Sequence, residues 1–259
     1  MSFHLTRVLS KRTADSGGVQ LDPPGVMRHD EDGSSSSLER FAGAKDTVVE
    51  ELGIPYEIKN YSRLPDGRSP PELRTENPSP LGKSPTITDT HVIDSKEETI
   101  TLVESGAICE YLITKYDTKG KFVVSQRLSQ AWIDNAFYTH FAEEFARAVV
   151  LAYVLKRQGA SDEEGAHKVE DVFTMPVMKK YTEMIEQHLA KTGSNWFAGQ
   201  SDPTSADFMM IVPLENLILR YPNLAGPSIR EYVKRAQART SYRQGVEKVG
   251  GYSLILKDA

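Results

Sequence analysis

The stretch that decides the fold is Leu-Gly-Lys-Ser-Pro-Thr-Ile-Thr at residues 81–88, which a hairpin-like segment joins to Val-Glu-Ser-Gly-Ala-Ile-Cys-Glu-Tyr at residues 103–111. The β-branched residues at 86–88 favour a strand. Pro85 lacks an N–H group and therefore suits the start of that strand. The bond between Ser84 and Pro85 is a candidate cis peptide. Ser84 would then turn its own N–H and C=O outward, where an extended peptide could bind them.

The second half of this stretch places two polar residues at the start of a helix. Glu104 and Ser105 follow a strand-like segment at 100–103, and the apolar residues at 107–112 recur with helical spacing. Unpaired N–H groups at a helix N-terminus attract a carboxylate. Ser105 adds a hydroxyl there, and Glu104 can hold an ammonium group. The two halves together fit a ligand with an α-amino and an α-carboxylate group at one end and a peptide backbone in the middle.

Each half alone also has a simpler interpretation. A Ser-Pro pair is usually only a turn, and a Glu-Ser pair before a helix is usually only a cap. The order and spacing of the two motifs, together with motifs later in the chain, are far more specific than either one.

In these motifs the chain resembles the soluble glutathione transferases, in which a Ser-Pro or Val-Pro turn and a Glu-Ser-Gly-Ala-Ile motif form the glutathione site. Pro-Pro-Glu-Leu at 70–73, running on to the Gly-Lys-Ser-Pro at 82–85, is similar to one fungal-type branch. The resemblance implies an α+β/α fold: an N-terminal thioredoxin-like domain followed by an all-α helical C-terminal domain. It also implies glutathione as co-substrate.

The resemblance assigns a role to each residue of the site. Lys83 is expected to meet the glycine carboxylate of glutathione, and the Ser84–Pro85 turn its cysteinyl backbone. Glu104 and Ser105 are expected to bind the γ-glutamyl group.

Composition and pattern divide the chain into three parts. Residues 1–33 match the family poorly and are predicted to hold the first strand followed by a disordered insertion rich in Gly, Pro, Asp and Ser. Residues 34–117 are predicted to form the thioredoxin-like, glutathione-binding domain. Residues 122–259 have helical periodicity with almost no strand signal and are predicted to be all-helical. Thr-Ser-Ala-Asp at 204–207 has the pattern of a capping box, which in this family opens the central buried helix of the second domain.

The thiol-activating group is expected close to the first helix, where relatives carry a hydroxyl or amide. The candidates are Ser34, Ser35, Ser36 and Ser37, one of which would donate a hydrogen bond to the thiolate. The same serines have competing roles as helix caps or as plain linker.

The helix predicted from Ser125 to Arg157 is rich in aromatic residues. Most of them are expected to be core or subunit contacts, because aromatic stripes at helical spacing usually are. Tyr138 and Phe141 are the candidates for an apolar substrate pocket beside the thiol.

Composition excludes several other functions. The net charge of −5 argues against nucleic acid as a partner, because phosphates require a basic face. The single cysteine, Cys109, excludes an internal disulfide; it is either a small buried hydrophobe or a reactive thiol. The six histidines lack the short spacings of a metal site, so no metal is predicted. The longest apolar run, Ala148 to Leu155, is too short for a membrane span of about 20 residues, so no membrane insertion is predicted.

The leading functional hypothesis is a transferase that joins the glutathione thiolate to a small hydrophobic electrophile, in detoxification or in a secondary-metabolite step. The alternative is a non-catalytic glutathione-binding or regulatory protein of the same fold. A disulfide or dehydroascorbate reductase would need a cysteine near the first helix, and there is none. We expect a cytoplasmic homodimer; residues 1–13, which are basic and free of acidic side chains, leave mitochondrial targeting as an alternative.

Overall fold

The structure, a computed structural model, describes residues 2–9, 43–62, 64, 69–93, 95–159 and 170–248. Within these residues the first half of the chain alternates strands and helices, and every element after residue 104 is helical. The first half contains β1 (Ser2–Leu9), α1 (Gly43–Leu52), β2 (Glu57–Ser62), α2 (Glu72–Thr75), β3 (Thr86–Ile93), β4 (Lys96–Val103) and α3 (Ser105–Tyr116).

The strands in the described part of the chain form one four-stranded sheet in the order β2-β1-β3-β4. β1 runs parallel to β2, whereas β3 is antiparallel to both β1 and β4. Parallel neighbours need a crossover connection, and α1 lies in the connection between β1 and β2. A parallel βαβ unit followed by an antiparallel hairpin and a helix is the thioredoxin-like arrangement, which confirms that part of the predicted fold.

The short elements follow from local sequence signals. α1 ends before Gly53, whose φ of +65° lies in the left-handed region that glycine tolerates best. β1, the first strand that the sequence predicts within residues 1–33, pairs with β3 from Ser2 to Thr6. The short helix α2 begins at Glu72.

Every regular element that the structure describes in the second half of the chain is a helix or a helical turn. This half contains α4 (Gln130–Gly159), a π-helical turn (Glu170–Thr174), α5 (Met175–Thr192), α6 (Ser205–Arg220), a 3-10 turn (Pro222–Leu224), α7 (Pro227–Gln237) and α8 (Thr240–Lys248). α6 is buried from Ser205 to Ile218 because it contacts α1, α3, α4 and α7. A helix surrounded in this way must be apolar on nearly all faces, and its sequence is.

The capping box predicted at the start of α6 is confirmed. The Thr204 side chain and the Asp207 side chain each bond the backbone of the other residue. Pro213 lies inside this helix.

The two halves share one core and a set of ion pairs. Val48 and Val49 of α1 belong to the same buried cluster as the apolar residues of α6. Glu50 lies 2.5 Å from Lys248 of α8, and Glu51 lies 2.5 Å from the Arg239 Nε atom. Acidic residues in the last turn of a helix oppose its dipole, so these basic partners from the helical half offset an unfavourable position. No helix in the described ranges has the length and apolar character needed to cross a membrane.

Candidate functional site

The pairing of β3 with β4 brings the two halves of the predicted site together. Thr86 is the register partner of Val103. The residue before Thr86 and the residue after Val103 are therefore neighbours, although about twenty residues separate them in sequence. The Ser84–Pro85 bond is cis, as predicted. The Lys83 Nζ atom lies 3.8 Å from Glu104 Oε1.

Glu104 begins α3 in an unusual backbone conformation. Its φ of 71° places it in a region that non-glycine residues rarely occupy. Its carbonyl accepts the N–H of Ile108 at 2.9 Å, while its side chain makes no capping hydrogen bond to the helix. Such conformations are often found at functional sites. Here the conformation leaves the carboxylate beside Lys83.

The N-terminus of α3 has the character of an anion site. Ser105, the first helical residue, is buried. The first N–H groups of any α-helix have no acceptor within the helix, and the dipole adds partial positive charge there. The site thus contains two positive groups, the Lys83 ammonium and the helix N-terminus, and one negative group, the Glu104 carboxylate. This arrangement matches a ligand that carries both a carboxylate and an ammonium group.

A buried acid fixes α3 to the sheet. Asp89 of β3 is 1% exposed, and its Oδ2 atom accepts hydrogen bonds from Tyr111 Oη at 2.6 Å, Lys115 Nζ at 2.6 Å and Tyr116 Oη at 2.8 Å. Burial by itself would raise the pKa of Asp89, but these donors outweigh it and hold the pKa below its ordinary value. The helix that carries Ser105 is therefore fastened to the strand that follows Pro85.

Asp89 is not among the residues predicted from the sequence, although its position in the strand pattern indicates a buried acid. In an alternating strand, residues two apart share a face, and Asp89 follows Ile87 on the buried face of β3. An ionisable residue in such a position is almost always paired. The partner helix could not be identified without the fold.

The structure places the two pocket candidates in the core of the helical half. Tyr138 is 3% exposed, and its ring lies 4.4 Å from the ring of His188 and 4.6 Å from that of Phe197. Phe141 is 8% exposed and packs against Tyr181. Burial raises the pKa of the Tyr138 hydroxyl above its ordinary value. Both residues occupy core positions, and their contribution to a pocket stays a prediction.

The accessible aromatic residue of this stretch is Phe137. It is 45% exposed and stacks on Phe141 at 5.2 Å. Ile133, one turn earlier on α4, is similarly exposed.

The remaining candidates differ in what the structure says about them. Ser34, Ser35, Ser36 and Ser37 lie outside the described residues, so their role stays a prediction. Cys109 is fully buried within α3. Among the residues described, no group of three or more His, Cys, Asp or Glu side chains is arranged to hold a metal ion.

Comparison with known proteins identifies the family. A family model described as the glutathione S-transferase N-terminal domain matches residues 47–115. The glutathione S-transferase-like protein OpS6 of Beauveria bassiana is 30% identical over 175 residues, which cover 64% of this chain and 72% of that protein. The chain belongs to the glutathione S-transferase family. This confirms the resemblance inferred from the Ser-Pro and Glu-Ser motifs.

One further relative and one solved structure extend the likeness over most of this chain. Glutathione S-transferase 3 of Schizosaccharomyces pombe is 29% identical over 222 residues, covering 81% of this chain and 84% of that protein. Like OpS6, it is a fungal protein. The crystal structure of a glutathione transferase from Burkholderia graminis, with two glutathione molecules bound per subunit, covers 94% of this chain and 87% of its own, with 20% identity and a TM-score of 0.67. The predicted fold, a thioredoxin-like domain followed by a helical domain, is confirmed.

Proposed function

We propose that this protein is a glutathione S-transferase that joins the glutathione thiolate to a small hydrophobic electrophile. The observation that carries the proposal is the convergence of the cis Ser84–Pro85 turn with Lys83, Glu104 and the N-terminus of α3. The glutathione bound to the Burkholderia graminis enzyme supports the choice of ligand.

The geometry suggests how each end of glutathione would be bound. The ligand's α-carboxylate would lie on the N–H groups of α3 and the hydroxyl of Ser105, and its α-ammonium on Glu104. The backbone of Ser84 would take the cysteinyl N–H and C=O, as an added strand does. The thiol would then point toward α4, whose His140 lies beside Gly106 at the start of α3.

Lys83 would have to change partners when glutathione binds. Its ammonium is paired with Glu104, whereas the glycine carboxylate lies at the far end of an extended three-residue ligand, roughly 10 Å away. The ligand's ammonium would replace Lys83 on Glu104, and Lys83 would be released to reach the glycine carboxylate. One ammonium is exchanged for another at Glu104, so the carboxylate is never left unpaired.

The proposed reaction is a nucleophilic attack by the glutathione sulfur. The thiol proton leaves to solvent, assisted by one of the serines at 34–37. The thiolate then forms a sulfur–carbon bond while the leaving group departs with its electron pair. With an activated double bond, the π electron pair instead moves onto the activating group, and the adduct takes a proton from solvent. The protein contributes by orienting and deprotonating the thiol.

The electrophile would bind against the exposed face of α4. His140 of α4 lies 3.6 Å from Glu110 of α3, and its ring faces Gly106 at the start of α3. Phe137 and Ile133 precede His140 on that face of α4, because residues three, four and seven apart share a side of a helix. Their exposed apolar surface, backed by Tyr138 and Phe141, would hold a hydrophobic substrate.

We further propose that the protein acts in the cytoplasm as a homodimer, either in detoxification or in a secondary-metabolite step. The commonness of two-fold symmetric assemblies among soluble proteins supports the homodimer.

Calorimetric titration with glutathione tests the site. Ser105→Ala and Glu104→Gln should each weaken glutathione binding by about 1–3 kcal/mol, because each removes one partner of a charged ligand group. Glu98→Gln, which removes an exposed carboxylate from β4, is the matched control and should leave the affinity unchanged. Wild-type affinity in both site variants would contradict the assignment.

Conjugation assays with aryl halides, epoxides and enals test the activity. We expect the wild-type protein to form a glutathione adduct with at least one class. Tight glutathione binding without any adduct would instead favour the non-catalytic alternative.

A further inference from the structure

A buried asparagine holds the turn that precedes the cis peptide. Asn77 is 9% exposed, and its Nδ2 atom donates to the Lys83 carbonyl at 2.9 Å and to Thr86 Oγ1 at 3.2 Å. Its Oδ1 atom accepts the N–H of Ser79 at 2.8 Å. One amide side chain therefore connects the start of the turn to residues on both sides of the Ser84–Pro85 bond.

The Lys83 carbonyl is held from two directions. Besides the bond from Asn77, it accepts the hydroxyl of Thr86 at 2.6 Å. Thr86 is fully buried, and its oxygen also receives the Asn77 amide. The Asn77 amide, the Lys83 carbonyl and the Thr86 hydroxyl are therefore all hydrogen-bonded to one another inside the turn. Buried polar groups that are satisfied in this way rigidify the backbone around them.

The other side of the turn is confined by packing. Gly82 has a φ of +54°, and a Cβ atom built on it would meet Arg74 Cγ at 2.9 Å and Arg74 Cα at 3.1 Å. The turn is pressed against α2, and only glycine fits there. Asn77 on the inside and α2 on the outside therefore confine the backbone of the turn, whereas the Lys83 side chain is largely exposed.

An ordinary turn does not account for all of these contacts. An Asx-turn needs only the bond from the Ser79 N–H to Asn77 Oδ1, which an aspartate would make equally well. The Nδ2 atom is used for a separate purpose, the capture of the Lys83 carbonyl. The Lys83 carbonyl is thereby held inside the turn, while the Lys83 Nζ atom lies 3.8 Å from Glu104 Oε1.

We propose that Asn77 is a positioning residue of the glutathione site: it touches no ligand atom, and it orients Lys83 and Ser84 for binding. The inference rests on the proposed function, because it concerns the same site. It adds a residue that acts through the turn rather than through contact.

Asn77→Asp is the sharpest test, because it preserves the shape and the Oδ1 acceptor and replaces the Nδ2 donor with a carboxylate oxygen, which also adds a negative charge. We expect at least tenfold weaker glutathione binding by calorimetry. In conjugation assays KM for glutathione should rise to the same extent, while KM for the electrophile stays within about twofold. Thr86→Val removes the second donor to the same carbonyl and should cause a smaller loss in the same direction. It also provides the test if Asn77→Asp does not fold.

Ser79→Ala is the control for a general loosening of the turn. Ser79 is buried in the same turn, and its Oγ atom accepts the Leu81 N–H at 3.3 Å. Glutathione affinity should stay within about twofold of wild type in this variant. Wild-type affinity in Asn77→Asp, or an equal loss in Ser79→Ala, would overturn the proposal.

Amide hydrogen exchange separates this inference from the proposed function. In the free protein, Asn77→Asp should speed exchange in residues 81–86 by at least tenfold and leave α6 unchanged. If wild-type protein fails to bind glutathione, the proposed function is wrong. The exchange measurement, which needs no ligand, still decides whether Asn77 fixes the turn, and unchanged exchange there would refute that role.

Discussion

Replacing Asp207 should lower the free energy of unfolding of the helical half far more than any surface substitution does. Asp207 is completely buried at the start of α6 and accepts four hydrogen bonds. Its Oδ1 atom accepts the Phe197 N–H at 3.0 Å and the Tyr232 hydroxyl at 3.2 Å. Its Oδ2 atom accepts the Thr204 N–H at 2.8 Å and the Thr204 hydroxyl at 3.1 Å. The carboxylate thus joins the loop at residue 197, the cap of α6 and helix α7.

The size of the effect follows from the donors that lose their acceptor. In Asp207→Ala the N–H groups of Phe197 and Thr204 are left buried without a partner, at about 1–3 kcal/mol each. Water entering the small cavity would recover part of this cost. We expect a loss of about 3–5 kcal/mol in the free energy of unfolding, a large share of the roughly 5–15 kcal/mol that domains possess.

The pH dependence gives an independent check. Burial outweighs the hydrogen bonds and raises the pKa of Asp207 from 3.8 to about 6. The folded state therefore binds this proton more tightly than the unfolded state, so the stability contributed by Asp207 is full below pH 4 and falls as pH rises to 6. The shift of about two pKa units corresponds to roughly 3 kcal/mol. The loss caused by Asp207→Ala should accordingly be greater at pH 4.5 than at pH 7.5.

Urea unfolding followed by circular dichroism, at several pH values, measures both quantities. Subtracting the variant's free energy of unfolding from that of the wild type at each pH cancels the contribution of all other titrating groups. Asp202→Ala is the matched control, because Asp202 lies five residues away and makes surface contacts with Lys121 and Ser201; we expect a change of less than about 1 kcal/mol there. A loss below 1 kcal/mol in Asp207→Ala at pH 7.5, or a loss that does not grow toward pH 4.5, would refute the reasoning.

Three further predictions concern the domain contact, the chemistry and the assembly. Glu51→Gln should lower the free energy of unfolding by about 1–3 kcal/mol at pH 7, because Arg239 loses a charged partner. Burial alone would raise the pKa of Glu51, but Arg239 and Ser241 hold it below its ordinary value, so this contribution should disappear as pH falls below about 4 in the same urea assay. Replacing the serines at 34–37 by alanine should lower conjugation by about one to two orders of magnitude while sparing glutathione affinity in calorimetry; full activity would place thiol activation elsewhere. Sedimentation equilibrium at micromolar concentration should give twice the chain mass of 28.9 kDa, and a single-chain mass would exclude the dimer.

The sequence alone determined the features that depend on neighbours along the chain. The strand at 86–88, the cis Ser84–Pro85 bond and the capping box at 204–207 were all predicted correctly. Each depends on the chemistry of a few consecutive residues: branching at Cβ, the proline ring, or a side chain that reaches its own helix end. The family was recognisable for the same reason, since its glutathione-binding motifs are short and contiguous.

Only the tertiary structure decided which distant groups meet. The register of β3 on β4 set Lys83 beside Glu104, and the packing of α3 on β3 gathered three donors around Asp89. Neither contact can be read from the spacing of these residues in the sequence. The tertiary structure also decided that Tyr138 is buried while its neighbour Phe137 is exposed. Successive residues on a helix point about 100° apart, and in an aromatic stretch the pattern does not reveal which direction faces the core. Asn77 was overlooked because its partners, Lys83 and Thr86, lie across a turn whose path the sequence did not specify.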